Sequence, residues 1–83
     1  MIHLQRFMNK KLSELHAGEK GVILSFENSE LHLKLMEMGC VPGEEVLIEY
    51  IAPLGDPISI LVSGYQLSLR LEEAQNILVE QDK

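Results

Sequence analysis

Residues 28–51, NSELHLKLMEMGCVPGEEVLIEYI, change hydrophobic period midway, and that change decides the fold. In the first half Leu31, Leu35 and Met38 recur at helical spacing, while Lys34 and Glu37 fall on other faces. Asn28-Ser29 is a helix-entry signal, and Glu30 suits the positive end of the helix dipole. Gly39 fits the left-handed position that ends a helix, and Pro42-Gly43 makes a turn. The spacing therefore predicts a helix over about 29–38. In the second half the period drops to two: Val46, Ile48 and Tyr50 share one face, and Leu47, Glu49 and Ile51 share the other.

The flanking segments extend the strand pattern. Upstream, KGVILSF at 20–26 reads as a strand with Val22, Leu24 and Phe26 on one face. Leu12 and Leu15 fit one helical turn, and Ala17-Gly18 reads as a turn. Downstream, Pro53 and Pro57 bracket the loop APLGDP, because neither can donate to a sheet ladder. Ile58, Ile60 and Val62 alternate in the next strand, Gly64 marks a tight turn, and Tyr65, Leu67 and Leu69 alternate in another. LEEAQ favours a short helix, and NILVE closes the pattern as a last strand near 76–80. The expected fold is mainly β: about five strands, one α-helix between strands 1 and 2, and a short helical turn before the last strand. Closing so small a sheet into an SH3-like β-barrel removes most of its exposed edges. The expected organisation is an irregular extension over 1–10, one domain over 11–80 and a tail over 81–83.

Composition limits what such a domain can do. The chain has 83 residues and a 46% apolar share, which are values of one globular domain. Aromatics are 5% with no Trp, so branched aliphatics must fill the core. The net charge of −6 lacks the basic footprint of a duplex nucleic-acid reader. Residues 1–20 are mildly basic, with Arg6, Lys10, Lys11 and Lys20 against Glu14 and Glu19; the remainder is strongly acidic. Cys40 is the one cysteine, which excludes an internal disulfide. No apolar run approaches the ~20 residues that cross a bilayer, and MIHLQRFMNKKL does not read as a signal peptide. The expected location is the cytoplasm, without direct membrane insertion.

The candidate chemical groups are sparse. No G-x-S-x-G elbow or phosphate-loop motif occurs; GEKG at 18–21 leads into a strand rather than a helix. Cys40 lies between a helix stop and a turn, where a small apolar residue serves as well. His3, His16 and His32 show no helical ligand spacing, and Met36 and Met38 beside leucines read as core filler. These residues suit an interaction module better than an enzyme, with no cofactor and no metal ligands assigned. The candidate docking residues are Lys34 and Glu37 on the helix, Val41 in the turn after it, and Leu54, Gly55 and Asp56 in the proline-bracketed loop. Gly39, Pro42, Gly43, Pro53 and Pro57 are expected to shape the turns. The competing reading has Leu54 folded back on the barrel and Asp56 capping a turn.

Leu35-Met36-Glu37-Met38-Gly39-Cys40-Val41-Pro42-Gly43, then Val46, then Ala52-Pro53-Leu54-Gly55-Asp56-Pro57-Ile58, resembles the FeoA family of bacterial ferrous iron uptake. Leu12-Ser13-Glu14-Leu15, Gly18, Glu19 and Gly21 match before it, and Leu67-Ser68-Leu69-Arg70, Glu73-Ala74, Ile77 and Val79 match after it. The resemblance runs from about Lys11 to Glu80. It implies a small cytoplasmic SH3-like barrel, non-catalytic, that binds the Fe(II) transporter FeoB and regulates or supports its uptake activity. It implies no residue-by-residue metal site. One departure stands out: family helices often carry several Arg or Lys before the Met-Gly turn, and this helix offers only Lys34 as a firm cation. The alternatives are a stand-alone SH3-like regulatory barrel and a small Fe(II)-binding carrier; beside the transporter, the expected partner is a second copy of the chain in a weak homo-oligomer.

Overall fold

In this computed structural model, which describes residues 7–82, the chain runs β1 (Phe7–Lys11), a 3-10 turn (Leu12–Glu14), β2 (Lys20–Phe26), α1 (Ser29–Glu37), β3 (Glu45–Ile51), β4 (Ile58–Val62), β5 (Tyr65–Leu69), α2 (Leu71–Gln75) and β6 (Ile77–Asp82). The strands form one antiparallel six-stranded sheet in the order β1-β6-β2-β3-β4-β5.

Three expectations change. The chain from Phe7 onward is strand where an irregular extension was expected; residues 1–6 of that extension lie outside the described residues. β1 pairs with β6 from Phe7↔Asp82 to Lys11↔Leu78, so the expected tail at 81–82 is also strand. The alternation of β1 is too short and too polar, FMNKK, to stand out in sequence. The third change is closure. Among the described residues β1 and β5 do not pair with each other, so the sheet is open and not a closed barrel. The helical segments cover its apolar face instead: Leu12 and Leu15 around the 3-10 turn, Leu35 of α1, Cys40 after it and Ala74 of α2 join Ile23, Val46, Ile48, Ile58, Ile60, Val62, Leu69, Ile77 and Val79 in one buried cluster. Burying each Leu, Ile or Val side chain of this cluster stabilises by roughly 1.5–3 kcal/mol.

The strands themselves fall where the period-two patterns put them, but two β-bulges reverse the faces partway. Between Ile23 and Ser25 the β2–β6 register slips by one residue. Ahead of the bulge Ile23 is buried and Val22 stays at the surface, so the expected face of Val22 and Phe26 holds only beyond the bulge, where Phe26 packs inward. Between Ile48 and Tyr50 the β3–β4 register slips in the same way. Tyr50 turns out to solvent, 59% exposed, although Val46 and Ile48 ahead of it are fully buried. An extra residue in one strand moves every later side chain to the opposite face.

α1 ends as its sequence requires. Gly39 has φ +105°. The Gly39 N–H donates to the Met36 carbonyl at 3.1 Å, and the Cys40 N–H reaches back to the Leu35 carbonyl at 2.9 Å. That pair of bonds is the Schellman arrangement, and Cys40 and Leu35, its usual hydrophobic contact positions, are both fully buried. At the other end the Asn28 Oδ1 accepts the Glu30 N–H at 2.8 Å. Asn76, 5% exposed, locks this cap to the end of α2: its Oδ1 accepts the Asn28 N–H, and its Nδ2 donates to the Asn28 carbonyl at 3.4 Å.

Candidate functional site: the α1–α2 cleft and its loop

The loop between β3 and β4 is held from inside. The Ala52 N–H donates to the Pro57 carbonyl at 3.1 Å, and the Gly55 N–H donates to the Ala52 carbonyl at 2.7 Å. Gly55 has φ +88°, which lets the chain fold back so tightly. Asp56 leaves the loop altogether: its Oδ1 accepts the Leu71 N–H at 3.1 Å, at the first turn of α2. That carboxylate satisfies one of the free donors at a helix start and lies at the positive end of its dipole. Leu54 sits at the tip, 95% exposed. The Asp56 half of the competing reading thus describes a cap, on α2 rather than on its own turn, and the folded-back half does not describe Leu54. Asp56→Ala is expected to cost about 1 kcal/mol by loss of this cap, seen as a lower melting temperature. Leu54→Ala is expected to leave the melting temperature unchanged, because that side chain buries almost nothing.

Beside the loop lies a shallow open cleft lined by Lys34, Met38, Asp56, Pro57, Ser68, Arg70 and Glu73. Glu73 organises it. Its Oε1 accepts the Arg70 N–H at 2.8 Å, and its Oε2 meets the Lys34 Nζ at 2.9 Å. It is 5% exposed, whereas the Lys34 side chain is 61% exposed. Burial works to raise the Glu73 pKa, but the Arg70 N–H and the hydrogen bond and charge of Lys34 outweigh it and hold the carboxyl below its usual range. Burial, and after it the charge of Glu73, pushes the Cys40 thiol up to about 11. The thiol is therefore protonated at neutral pH. Among the described residues the Arg70 guanidinium has no ion-pair partner.

Of the sequence-expected docking residues, the structure brings Lys34 and Asp56 to one cleft and sets Leu54 and Gly55 on the loop beside it. Glu37 and Val41 do not line the cleft; both lie at the surface, Val41 37% exposed. Lys34 is not the free cation its sequence position suggests. The turn residues behave as expected: Gly39 is left-handed, and Pro42-Gly43 forms a turn whose Gly43 N–H donates to the Ile23 carbonyl at 2.8 Å. Pro53 stands in the loop's turn and Pro57 where the chain leaves it for β4. Sequence reading missed Glu73, Arg70, Ser68 and Asn76. Ser68, Arg70 and Glu73 fall in stretches that match the family, and Glu73 also left a local trace, as an acid three residues after Arg70 at the head of a helix-favouring run, the spacing at which a side chain reaches back to a helix start.

Among the described residues no three His, Cys, Asp or Glu side chains gather closely enough to hold a metal ion. His16 pairs with Glu19 at 3.2 Å, and His32 stacks on Phe26 with ring centres 4.9 Å apart. His3 lies outside the described residues.

The FeoA domain model matches residues 10–81. A relative from Porphyromonas gingivalis, named Fe(2+) transport protein A/Fe(2+) transporter FeoB fusion protein, is 41% identical over 71 residues; the match covers 84% of this chain and 8% of that protein. The solution structure of a FeoA-like protein from Clostridium acetobutylicum superposes with a TM-score of 0.82 at 42% identity, covering 88% of this chain and 86% of that one. The zinc complex of Stenotrophomonas maltophilia FeoA, described as a procaryotic SH3 domain protein, superposes with a TM-score of 0.71 at 32% identity, covering 87% and 88%. The SH3-like part of the expected fold thus agrees with a solved relative, while closure of the barrel does not hold for this sheet. By sequence and by fold over nearly its whole length, the chain belongs to the FeoA family.

Proposed function

We propose that this chain is a non-catalytic, cytoplasmic accessory protein of ferrous iron uptake that docks on a FeoB-type transporter through the 52–57 loop and the cleft beside it. Leu54 carries the reading. A single exposed leucine is ordinary, but this one is 95% exposed on a loop tied down at Ala52, Gly55 and Asp56. Fixing an apolar tip before contact lowers the ordering cost of binding. Arg70 adds an unsatisfied cation at the cleft and offers a bidentate fork to a partner carboxylate. The protonated, buried Cys40 thiol supports the non-catalytic part, since the thiolate is the nucleophile. No helix of the described residues is long and apolar enough to cross a membrane. The fused relative supports the identity of the partner, because one chain holds both parts at high effective concentration.

The test is calorimetric titration into the cytoplasmic region of the cognate FeoB, with GDP and with a GTP analogue. Saturable binding is expected, weakened about tenfold or more by Leu54→Ala, the loss of roughly 1.4 kcal/mol from an anchoring contact. Affinity that differs between the nucleotides would make the protein a regulator; equal affinity would make it a scaffold, because equal binding cannot shift the two states. No heat with a folded partner would overturn the reading.

A further inference from the structure

From Pro57 to Leu69 the chain carries no charged residue, the longest such run in a sequence that is 24% charged. This run forms the β4–β5 hairpin, and among the described residues β5 is an open edge of the sheet. The turn at Ser63-Gly64 has both φ angles positive, at 52° and 79°, as a two-residue hairpin of type I′ requires. The turn type sets the ladder. Val62↔Tyr65, Ile60↔Leu67 and Ile58↔Leu69 are the hydrogen-bonded pairs, so the peptide groups of Gln66 and Ser68 face the open side. Both residues are exposed. Folded proteins usually guard such an edge with lysine, proline or a bulge. The opposite edge, β1, has Lys10 and Lys11; β5 has none of these.

We infer that β5 is a pairing edge for a second copy of this chain. The occupant follows from charge and register. Two chains of net charge −6 repel over most of their surface; the hairpin adds no charge of its own, and the two carboxylates beside it are engaged, Glu49 by the Gln66 side chain and Glu44 by the Ser63 hydroxyl. An antiparallel pair about a two-fold axis at Leu67 sets Gln66 opposite Ser68 of the second copy, so the outward peptide groups bond to each other. Leu67 then meets its own copy, and Tyr65, 69% exposed, lies opposite Leu69. This contact is isologous and closed, which pairing β5 to β1 of another copy is not.

Sedimentation equilibrium from micromolar to millimolar concentration tests it without any transporter, so its outcome is independent of the docking reading. The wild type is expected to move from one chain mass toward two, more readily with added salt, which screens the repulsion. Gln66→Pro removes an outward N–H at an edge position where proline is tolerated, and it lies outside the cleft. It is expected to remain monomeric with an unchanged circular dichroism spectrum. Should it fail to fold, Ser68→Lys keeps the backbone donor, charges the edge and is expected to remain monomeric too. A wild type that stays monomeric, a folded variant that pairs as the wild type does, or pairing weakened by salt would overturn the inference.

Discussion

Gly39→Val is expected to cost the domain about 2–3 kcal/mol, the price of holding a β-branched residue in the left-handed region. The φ of +105° is what excludes valine there, because an added Cβ would meet nothing within 4 Å. Relaxing that strain means giving up the bond from the Cys40 N–H to the Leu35 carbonyl, and with it the placement of two fully buried side chains. Stability of a domain this size is on the order of 4–12 kcal/mol, so the loss is a large fraction of the whole. The melting temperature is expected to fall by roughly 10–20 °C. Gly39→Asn, which tolerates the left-handed region better, is expected to fall less. A valine variant that melts with the wild type would mean that the helix can end another way at no cost.

Glu73→Ala is the second large effect, about 2 kcal/mol. It removes a cap from the Arg70 N–H and leaves Lys34 unpaired. Losing one partner of a buried pair costs roughly 3–5 kcal/mol, but Lys34 is 61% exposed and regains water, which lowers the figure. Glu73→Gln separates the charge from the hydrogen bond. The folded-state pKa of Glu73 is depressed, so its contribution is present above the unfolded value of about 4.3 and is lost as pH falls through the folded value. The melting temperature of the wild type is therefore expected to drop from about pH 5 downward, and Glu73→Gln to drop less over that window. Glu19 is also depressed, chiefly by the His16 N–H, but it is solvent-exposed at its carboxylate and is common to both proteins, so the difference between them reports Glu73. Parallel curves would show that the Lys34–Glu73 charge pair does not stabilise the fold.

How much of this was legible depended on whether the signal was local. The start and end of α1 were readable because Asn28 and Gly39 act on their own backbone and its immediate neighbours. The strands were readable from their period but not all their faces, since Tyr50 reads as the continuation of the Val46 and Ile48 face until the bulge intervenes. A bulge is one extra residue against a partner strand, and no single strand records it. The candidate site was half legible. Leu54 and the turn around it follow from the prolines and Gly55, whereas the pairing of Lys34 with Glu73 and the capping of α2 by Asp56 join residues far apart in the chain.

By itself the sequence determined the elements, a mostly aliphatic core, the helix stop at Gly39, a proline-bracketed loop with an apolar tip, and a family resemblance through motifs that are contiguous in the chain. These are properties of spacing and of local backbone preference, which act within a few residues. Tertiary structure alone decided that β1 is a strand, that the sheet stays open with β5 at its edge, which strand faces the bulges reverse, and that Glu73 and Asn76 tie α1 to α2. Each of these depends on the position of a distant segment: a strand needs a neighbour to pair with, and a buried polar group needs a partner whose place the whole fold sets.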